Sequence, residues 1–295
     1  LAEYAKSKDV GILAWYNSGG PHNEITEQPR NRMHERATRR AEFRKIQDWG
    51  IQGIKVDFFQ SDKPCILQLY HDILRDAADF QLLINVHGST IPRGWRRTYP
   101  NLMTMESVRG AEAYRFDPDY PEYGAAHNTI LPFTRNAVGP MDYTPVAFSD
   151  AKYPHQTTYA HELALLVVFE SGIQHLADSD KSYLAQPDYV LDYLKAVPVA
   201  WEDTRYVDGS PGTMAVLARK NGSKWYLSGI NGLNTPERLE SGLDFLEKGS
   251  YEMSLIKDGQ DARSFAYETL VFDTGSKFSV EMLPRAGCAA VIDKR

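Results

Sequence analysis

Apolar residues recur in two alternating forms along the first two hundred positions. Short unbroken runs at residues 10–16 (VGILAWY), 53–59 (GIKVDFF) and 81–86 (QLLINV) lack the two-residue alternation of half-exposed strands. They read as parallel strands covered on both faces. Segments of helical period lie between them. Residues 33–49 carry Phe43, Ile46 and Trp49 at helical spacing and stop at Gly50, in the usual C-terminal cap position. Residues 64–78 put Ile66, Leu69, Tyr70, Ile73, Leu74 and Ala77 on one face. A shorter strand is expected at 101–105. A long segment rich in Pro, Tyr and Asp then runs over 106–151, and loops of that length are usually functional. Within it, residues 129–135 and 138–143 are expected as a strand or strand-like segment and its loop. An apolar helix at 159–171, a strand at 173–176 and a helix at 187–196 opening on Pro187 complete this part.

Strand and helix thus alternate at roughly thirty-residue spacing, the rhythm of βαβ units. Polar residues stand at the strand C-termini: Asn17, Asp57, His87 and Glu106. A doubly wound sheet concentrates its chemistry at one switch point, whereas here every strand contributes, which favours a TIM-type (β/α)8 barrel. The expected strands begin near residues 10, 53, 81, 102, 129 and 173. The α/β barrel, placed over 1–200, is therefore read as incomplete in this chain, holding strands 3 to 8. Residues 1–8 look like the last turns of a helix, so the missing strands are expected ahead of Leu1. After Trp201 the rhythm changes. Short runs at 214–218, 225–230, 243–246, 251–257, 268–272, 277–282 and 288–292 are separated by turns such as Asn221-Gly222 and Asp258-Gly259. They predict a small C-terminal antiparallel β-sandwich over 201–295.

Composition narrows the partners. No apolar run is long enough to span a bilayer, and a net charge of −6 argues against a nucleic-acid surface. Aromatics reach 12%, which suits a cleft where ring faces stack on sugars, although core packing explains them equally well. Cys65 and Cys288 read as two buried free thiols rather than a disulfide. The loop Asn17-Ser18-Gly19-Gly20 carries no phosphate-cradling pattern.

Lys55 and Asp57 interrupt the 53–59 strand at the end that faces the active site in parallel α/β architectures. An ionised pair is costly to bury unless matched and used, and the plain alternative is a structural pair closing a strand. Two carboxylates across a cleft can run a double displacement: one attacks the anomeric carbon, the other protonates the leaving oxygen and then activates water. The candidates are Asp57, Glu106, Glu112, Asp142 and Asp178. Asp57 is the best nucleophile, since Lys55 on the same strand face would help keep it ionised. Each of the others reads equally well as a solvated loop carboxylate. Glu106 and Glu112 are close enough in sequence to share a hard cation such as Ca²⁺.

Several stretches together carry a resemblance: Gly53–Phe59, then Ile84-Asn85-Val86-His87-Gly88-Ser89-Thr90, then Arg97-Thr98-Tyr99-Pro100-Asn101, then Met105 to Glu112. Residues 129–135 and 139–145 extend it. The chain resembles glycoside hydrolase family 97. That resemblance implies an N-terminal β-sandwich, absent here, then a barrel and a small C-terminal sandwich, with Ca²⁺ at a site acting on α-linked sugars. Retaining α-galactosidases of the family carry a nucleophilic aspartate, matched by Asp57. Inverting α-glucosidases instead carry a glutamate directly after the histidine matched by His87, where this chain has Gly88. The resemblance further implies Glu112 as acid/base and Glu106 and Glu112 as metal ligands, with further ligands from the missing N-terminal part. It also implies an oligosaccharide substrate and a periplasmic location. Lys55, His87, Trp15 and Tyr143 are candidate substrate-binding residues by position. The alternatives are an inverting α-glucosidase of the same family and a non-catalytic carbohydrate-binding protein.

Overall fold

A computed structural model describes residues 1–295, and the chain divides into two compact units. The first holds residues 1–108 and 138–142. After a short helix α1 (Ala2–Ser7) come β1 (Leu13–Asn17), α2 (Arg36–Asp48), β2 (Gly53–Asp57), α3 (Pro64–Asp79), β3 (Leu83–Val86) and β4 (Leu102–Met105). The four strands form one parallel sheet in the order β1-β2-β3-β4. Ile54, Val56, Ile84 and Val86 are buried in it, as unbroken apolar strands require. Gly53 is needed where β2 meets β3, because a Cβ there would sit 2.3 Å from the Leu83 carbonyl oxygen. α3 begins on Pro64 and buries Ile66, Leu69, Tyr70, Ile73, Leu74 and Ala77, the face read from its spacing. A buried ion pair fastens the two helices: Arg39 Nη2 lies 2.6 Å from Asp76 Oδ2. Arg40 reaches the other oxygen of the same carboxylate.

Two of the six expected barrel strands do not form as such. Residues 129–135 lie at the end of helix α4 (Tyr120–Ile130) and in 3-10 turns. The hydroxyls of Thr129 and Thr134 donate back to the carbonyls of Ala126 and Ile130, local bonds that favour helix end and turn over an extended strand. Met141 instead makes a single parallel bridge to Met105 of β4, and Asp142 N donates to Met105 O at 3.0 Å. Residues 173–176 form no strand. Ser171 Oγ donates to Ile173 O and Gln174 Nε2 to Phe169 O, local bonds that bend the segment.

The second unit holds residues 109–137 and 143–295. Besides α4 it contains α5 (Tyr159–Val168), α6 (Asp180–Leu184) and α7 (Asp188–Ala196). Eight strands follow: β5 (Asp203–Ser210), β6 (Met214–Asn221), β7 (Lys224–Asn231), β8 (Glu237–Ser241), β9 (Ser250–Asp258), β10 (Phe265–Asp273), β11 (Phe278–Met282) and β12 (Gly287–Lys294). They build a six-stranded sheet in the order β10-β9-β12-β7-β6-β5 and a two-stranded β11-β8 sheet, both antiparallel. Leu239, Val280 and Met282 of the two-stranded sheet share one apolar core with Val216, Leu227, Met253 and Ile292 of the larger sheet. α5 is buried on all sides. Thr158 caps its start, and Arg219 of β6 donates to the carbonyls of Val167 and Val168 at its end. β5 lies outside the expected strands: its run is polar, and a bulge between Tyr206 and Asp208 removes any alternation. β8 takes the place of the run at 243–246, where Leu243 and Leu246 are buried outside any strand. Both cysteines are free; Cys288 is buried, but Cys65 is exposed, against the sequence expectation. No helix is long and apolar enough to cross a membrane.

Candidate active site

In the first unit the C-terminal ends of β2, β3 and β4 bring Asp57, His87 and Glu106 to one side of the sheet. The turns leaving these strands are tight: Phe58, Gln60 and Ser107 have left-handed backbone, with φ of 65°, 49° and 34°. Non-glycine residues persist there only where their surroundings over-determine them, a feature that clusters at functional sites.

Asp57 is half-buried and fixed at both oxygens. Oδ1 accepts from its neighbour Phe58 N at 2.7 Å, and Oδ2 accepts from the Trp15 indole N–H at 3.3 Å. Trp15 is steadied edge-on by the Phe58 ring, with centroids 5.8 Å apart. These two donors, rather than Lys55, hold the carboxylate. Lys55 sits in register between Trp15 on β1 and Asn85 on β3, and its charge is felt at His87.

His87 is buried, with both ring nitrogens facing carboxylates. Nε2 lies 2.6 Å from Asp142 Oδ2, and Nδ1 lies 3.5 Å from Glu106 Oε1. Burial works against protonation, but the Asp142 hydrogen bond and the charges of Asp142 and Glu106 outweigh it, and the imidazole pKa is raised. Asp142 Oδ2 also accepts from Asn85 Nδ2 at 2.6 Å. Asn85 was not singled out from the sequence, although a lone amide inside the apolar run 81–86 is the signal that finds it. Asn17 organises the loop after β1 instead of facing a ligand: its amide donates to the carbonyls of Ile25 and Glu27, and its Oδ1 accepts from Gly19 N.

Glu106 Oε2 accepts from Gly88 N at 2.6 Å. The partly buried carboxylate offers hard oxygen donors at the end of β4, and that chemistry fits a cation such as Ca²⁺. Gly88 closes the space beside Asp57. A Cβ on it would meet Phe58 Cα and N at 2.9 Å and Asp57 Oδ1 at 3.3 Å, and its φ of +52° favours glycine.

Glu112 and Tyr143 belong to the second unit. Glu112 is exposed in the first turn of a short 3-10 helix (Ala111–Arg115). The backbone just before it is clamped: Ala111 N donates to Tyr143 O at 3.0 Å, and Tyr120 Oη donates to Arg109 O at 2.9 Å. Tyr143 Oη completes the clamp by donating to Tyr120 Oη at 2.8 Å. Both tyrosines are buried, and burial raises their pKa far above the ordinary value, so they act as neutral donors. His127, its pKa lowered by burial, supplies Nε2–H to Arg109 O at 3.1 Å. Asp178 is saturated by Phe148 N, Ser149 N and Oγ, Ser179 N and Ser182 Oγ. Burial alone would raise its pKa, yet these bonds hold it below the usual carboxylate range, as befits a structural group.

A family profile described as "Glycoside hydrolase 97" matches residues 1–108, and one described as "Glycosyl-hydrolase 97 C-terminal, oligomerisation" matches residues 200–293. The chain is 37% identical over 301 residues to a "Probable retaining alpha-galactosidase" of Streptomyces bingchenggensis, covering 99% of this chain and 42% of that protein. It is 31% identical over 306 residues to a "Retaining alpha-galactosidase" of Bacteroides thetaiotaomicron, covering 99% of this chain and 44% of that one. A solved structure titled as a beta-arabinopyranosidase superposes with a TM-score of 0.93 at 34% identity, over 98% of this chain and 47% of the other. The chain thus spans less than half the length of each of these three relatives.

Proposed function

Since the chain belongs to glycoside hydrolase family 97, we propose that it supplies the catalytic part of a retaining exo-α-galactosidase acting on oligosaccharides. The observation that carries this reading is Gly88. Its backbone lies so close to Asp57 and Phe58 that a side chain there has no room. A base at position 88, which an inverting α-glucosidase of the family would need, is sterically excluded, and the carboxylate held in its stead is Asp57.

In this reading Asp57 attacks the anomeric carbon while Glu112 protonates the leaving oxygen, then takes a proton from water as the glycosyl-enzyme is hydrolysed. Trp15 and Phe58 N–H fix the attacking carboxylate. His87 acts through Glu106 and Asp142, both of which its ring faces, while Lys55 offers its ammonium to substrate hydroxyls. Tyr143 acts through the backbone that carries Glu112. Glu106 and Glu112 would hold Ca²⁺, with ligands from the remainder of the protein; when bound, the ion polarises oxygens near the acid. The four parallel strands are read as part of a (β/α)8 barrel completed by other polypeptide, with a barrel domain over 1–200 and a sandwich domain over 201–295. An exported, periplasmic location goes with this reading, and cell fractionation tests it.

The full-length protein should hydrolyse 4-nitrophenyl α-galactoside in preference to the α-glucoside. Proton NMR should show α-galactose as the first-formed anomer; β-galactose appearing first refutes the role of Asp57, and no turnover supports a binding protein. One further substrate follows from the match at TM-score 0.93. A β-L-arabinopyranoside presents the hydroxyl arrangement of an α-D-galactoside without the C6 group, so its aryl glycoside belongs in the same assay.

A further inference from the structure

The loops after β2, β3 and β4 line an open cavity of about 560 Å³ in the first unit. That lies within the roughly 300–1,000 Å³ typical of small-molecule sites. Its walls are Gln60, Ser61 and Asp62 from one loop and Ser89, Thr90 and Ile91 from the next. The walls are built rather than loose. Gln60 N donates to Gly88 O at 2.8 Å, tying the two loops together. Thr90 N donates to the buried Tyr70 hydroxyl at 3.1 Å, and Ser107 Oγ donates to Thr90 O at 2.6 Å. On the rim, Arg93 Nη2 donates to Thr90 Oγ1 at 3.1 Å and to Asp62 Oδ2 at 3.4 Å. Gly88 also lines the cavity. The same residue holds Glu106 through its amide and abuts Asp57, so this wall of the cavity adjoins both carboxylates.

We propose that this cavity is the site for the leaving group, and that it selects a hydroxyl-rich sugar over an aromatic or alkyl group. The proposal rests on the reading of Asp57 as nucleophile. The chemistry of the lining carries it. Ile91 is the one apolar side chain, and no aromatic ring lines the cavity, so nothing offers a stacking face to an aryl group or to the flat side of a sugar. Serine and threonine hydroxyls both donate and accept, which matches the mixed demands of sugar hydroxyls. The Asp62 carboxylate can accept from two vicinal hydroxyls at once, a charge-assisted contact that an aryl leaving group cannot make. A sugar bound there is gripped while its glycosidic bond breaks. An activated aryl glycoside needs neither the grip nor much protonation.

The test uses the full-length protein and compares an α-galactosyl disaccharide with 4-nitrophenyl α-galactoside. In Asp62→Ala, the ratio of kcat/KM for the disaccharide to that for the aryl glycoside should fall about tenfold or more, the loss expected of one charge-assisted hydrogen bond. Thr90→Val should lower the same ratio, by a smaller factor. Aryl turnover reports folding in each variant. Losses that are equal on both substrates, or a ratio within twofold of wild type in both variants, overturn the cavity assignment while leaving the galactosidase reading intact. Failure of the wild-type protein to turn over either galactoside overturns the galactosidase reading and this assignment with it.

Discussion

The tyrosine clamp ahead of Glu112 makes a prediction whose size follows from its bonds. Tyr120→Phe deletes a buried hydroxyl that does two things: it donates to Arg109 O and it accepts from Tyr143 Oη. Arg109 O keeps a donor in His127, so its loss is partial. Tyr143 Oη is left as a donor with nothing to receive it, in a side chain only 1% exposed. An orphaned buried polar group costs about 1–3 kcal/mol, and the lost bond to Arg109 adds about 0.5–1.5 kcal/mol. Tyr143→Phe is milder, because Tyr120 still donates to Arg109 O; about 0.5–1.5 kcal/mol is expected. The double variant removes the orphan along with its partner, so its cost should fall below the sum of the single costs by about 1 kcal/mol or more. Denaturant unfolding of the wild type and three variants measures all four stabilities. The clamp should also tune Glu112, since it fixes the backbone from which that side chain projects. Tyr120→Phe should therefore slow galactosides with poor leaving groups more than activated ones, a split that simple destabilisation does not produce. Additive single costs, together with equal slowing of both substrate types, would refute the clamp.

Two further outcomes follow. Gly88→Ala should cut kcat sharply with little change in overall fold, because the new Cβ presses on the Phe58 backbone that holds Asp57; a variant with wild-type kcat shows that the close approach does not matter. His161, pushed down to about 3 by burial, is neutral when folded and donates Nδ1–H to Ala286 O, so stability is full above its unfolded value near 6.5 and drains as pH falls toward 3, by up to about 1.4 kcal/mol per pH unit. Asp258, pushed up to about 6 by burial, has the opposite slope between about pH 4 and 6, where it favours the protonated folded state. Asp258→Asn should thus steepen acid destabilisation and His161→Gln should flatten it, read from unfolding midpoints between pH 4 and 7; no change of slope in either variant refutes these assignments.

The parts legible in the sequence are those where periodicity and burial agree. β1 to β4 and their helices follow from unbroken apolar runs alternating with helical faces, because a strand covered on both sides tolerates little else. The misses share a cause. At Thr129, Thr134, Ser171 and Gln174, side chains bond to nearby backbone carbonyls, a local competition that hydrophobic patterning does not register. β5 escaped because it is mostly polar and a register shift between Tyr206 and Asp208 breaks its two-residue period.

The carboxylates themselves were legible as residues but not as partners, and strand geometry explains why. Along one strand, side chains on the same face are two residues apart, about 6.6 Å, whereas neighbouring strands lie only about 4.8 Å away. Sequence proximity therefore put Lys55 beside Asp57, but the sheet lays β1 alongside and brings the Trp15 indole to the carboxylate. The same holds for His87. Its strongest partner, Asp142, is 55 positions away and reaches it only because Met141 bridges to Met105 at the edge of the sheet. A one-residue slip of that bridge would turn Asp142 to the opposite face and leave His87 and Asn85 without the carboxylate both donate to. Register, which only the folded sheet determines, decides which of the polar residues at the strand ends become a site.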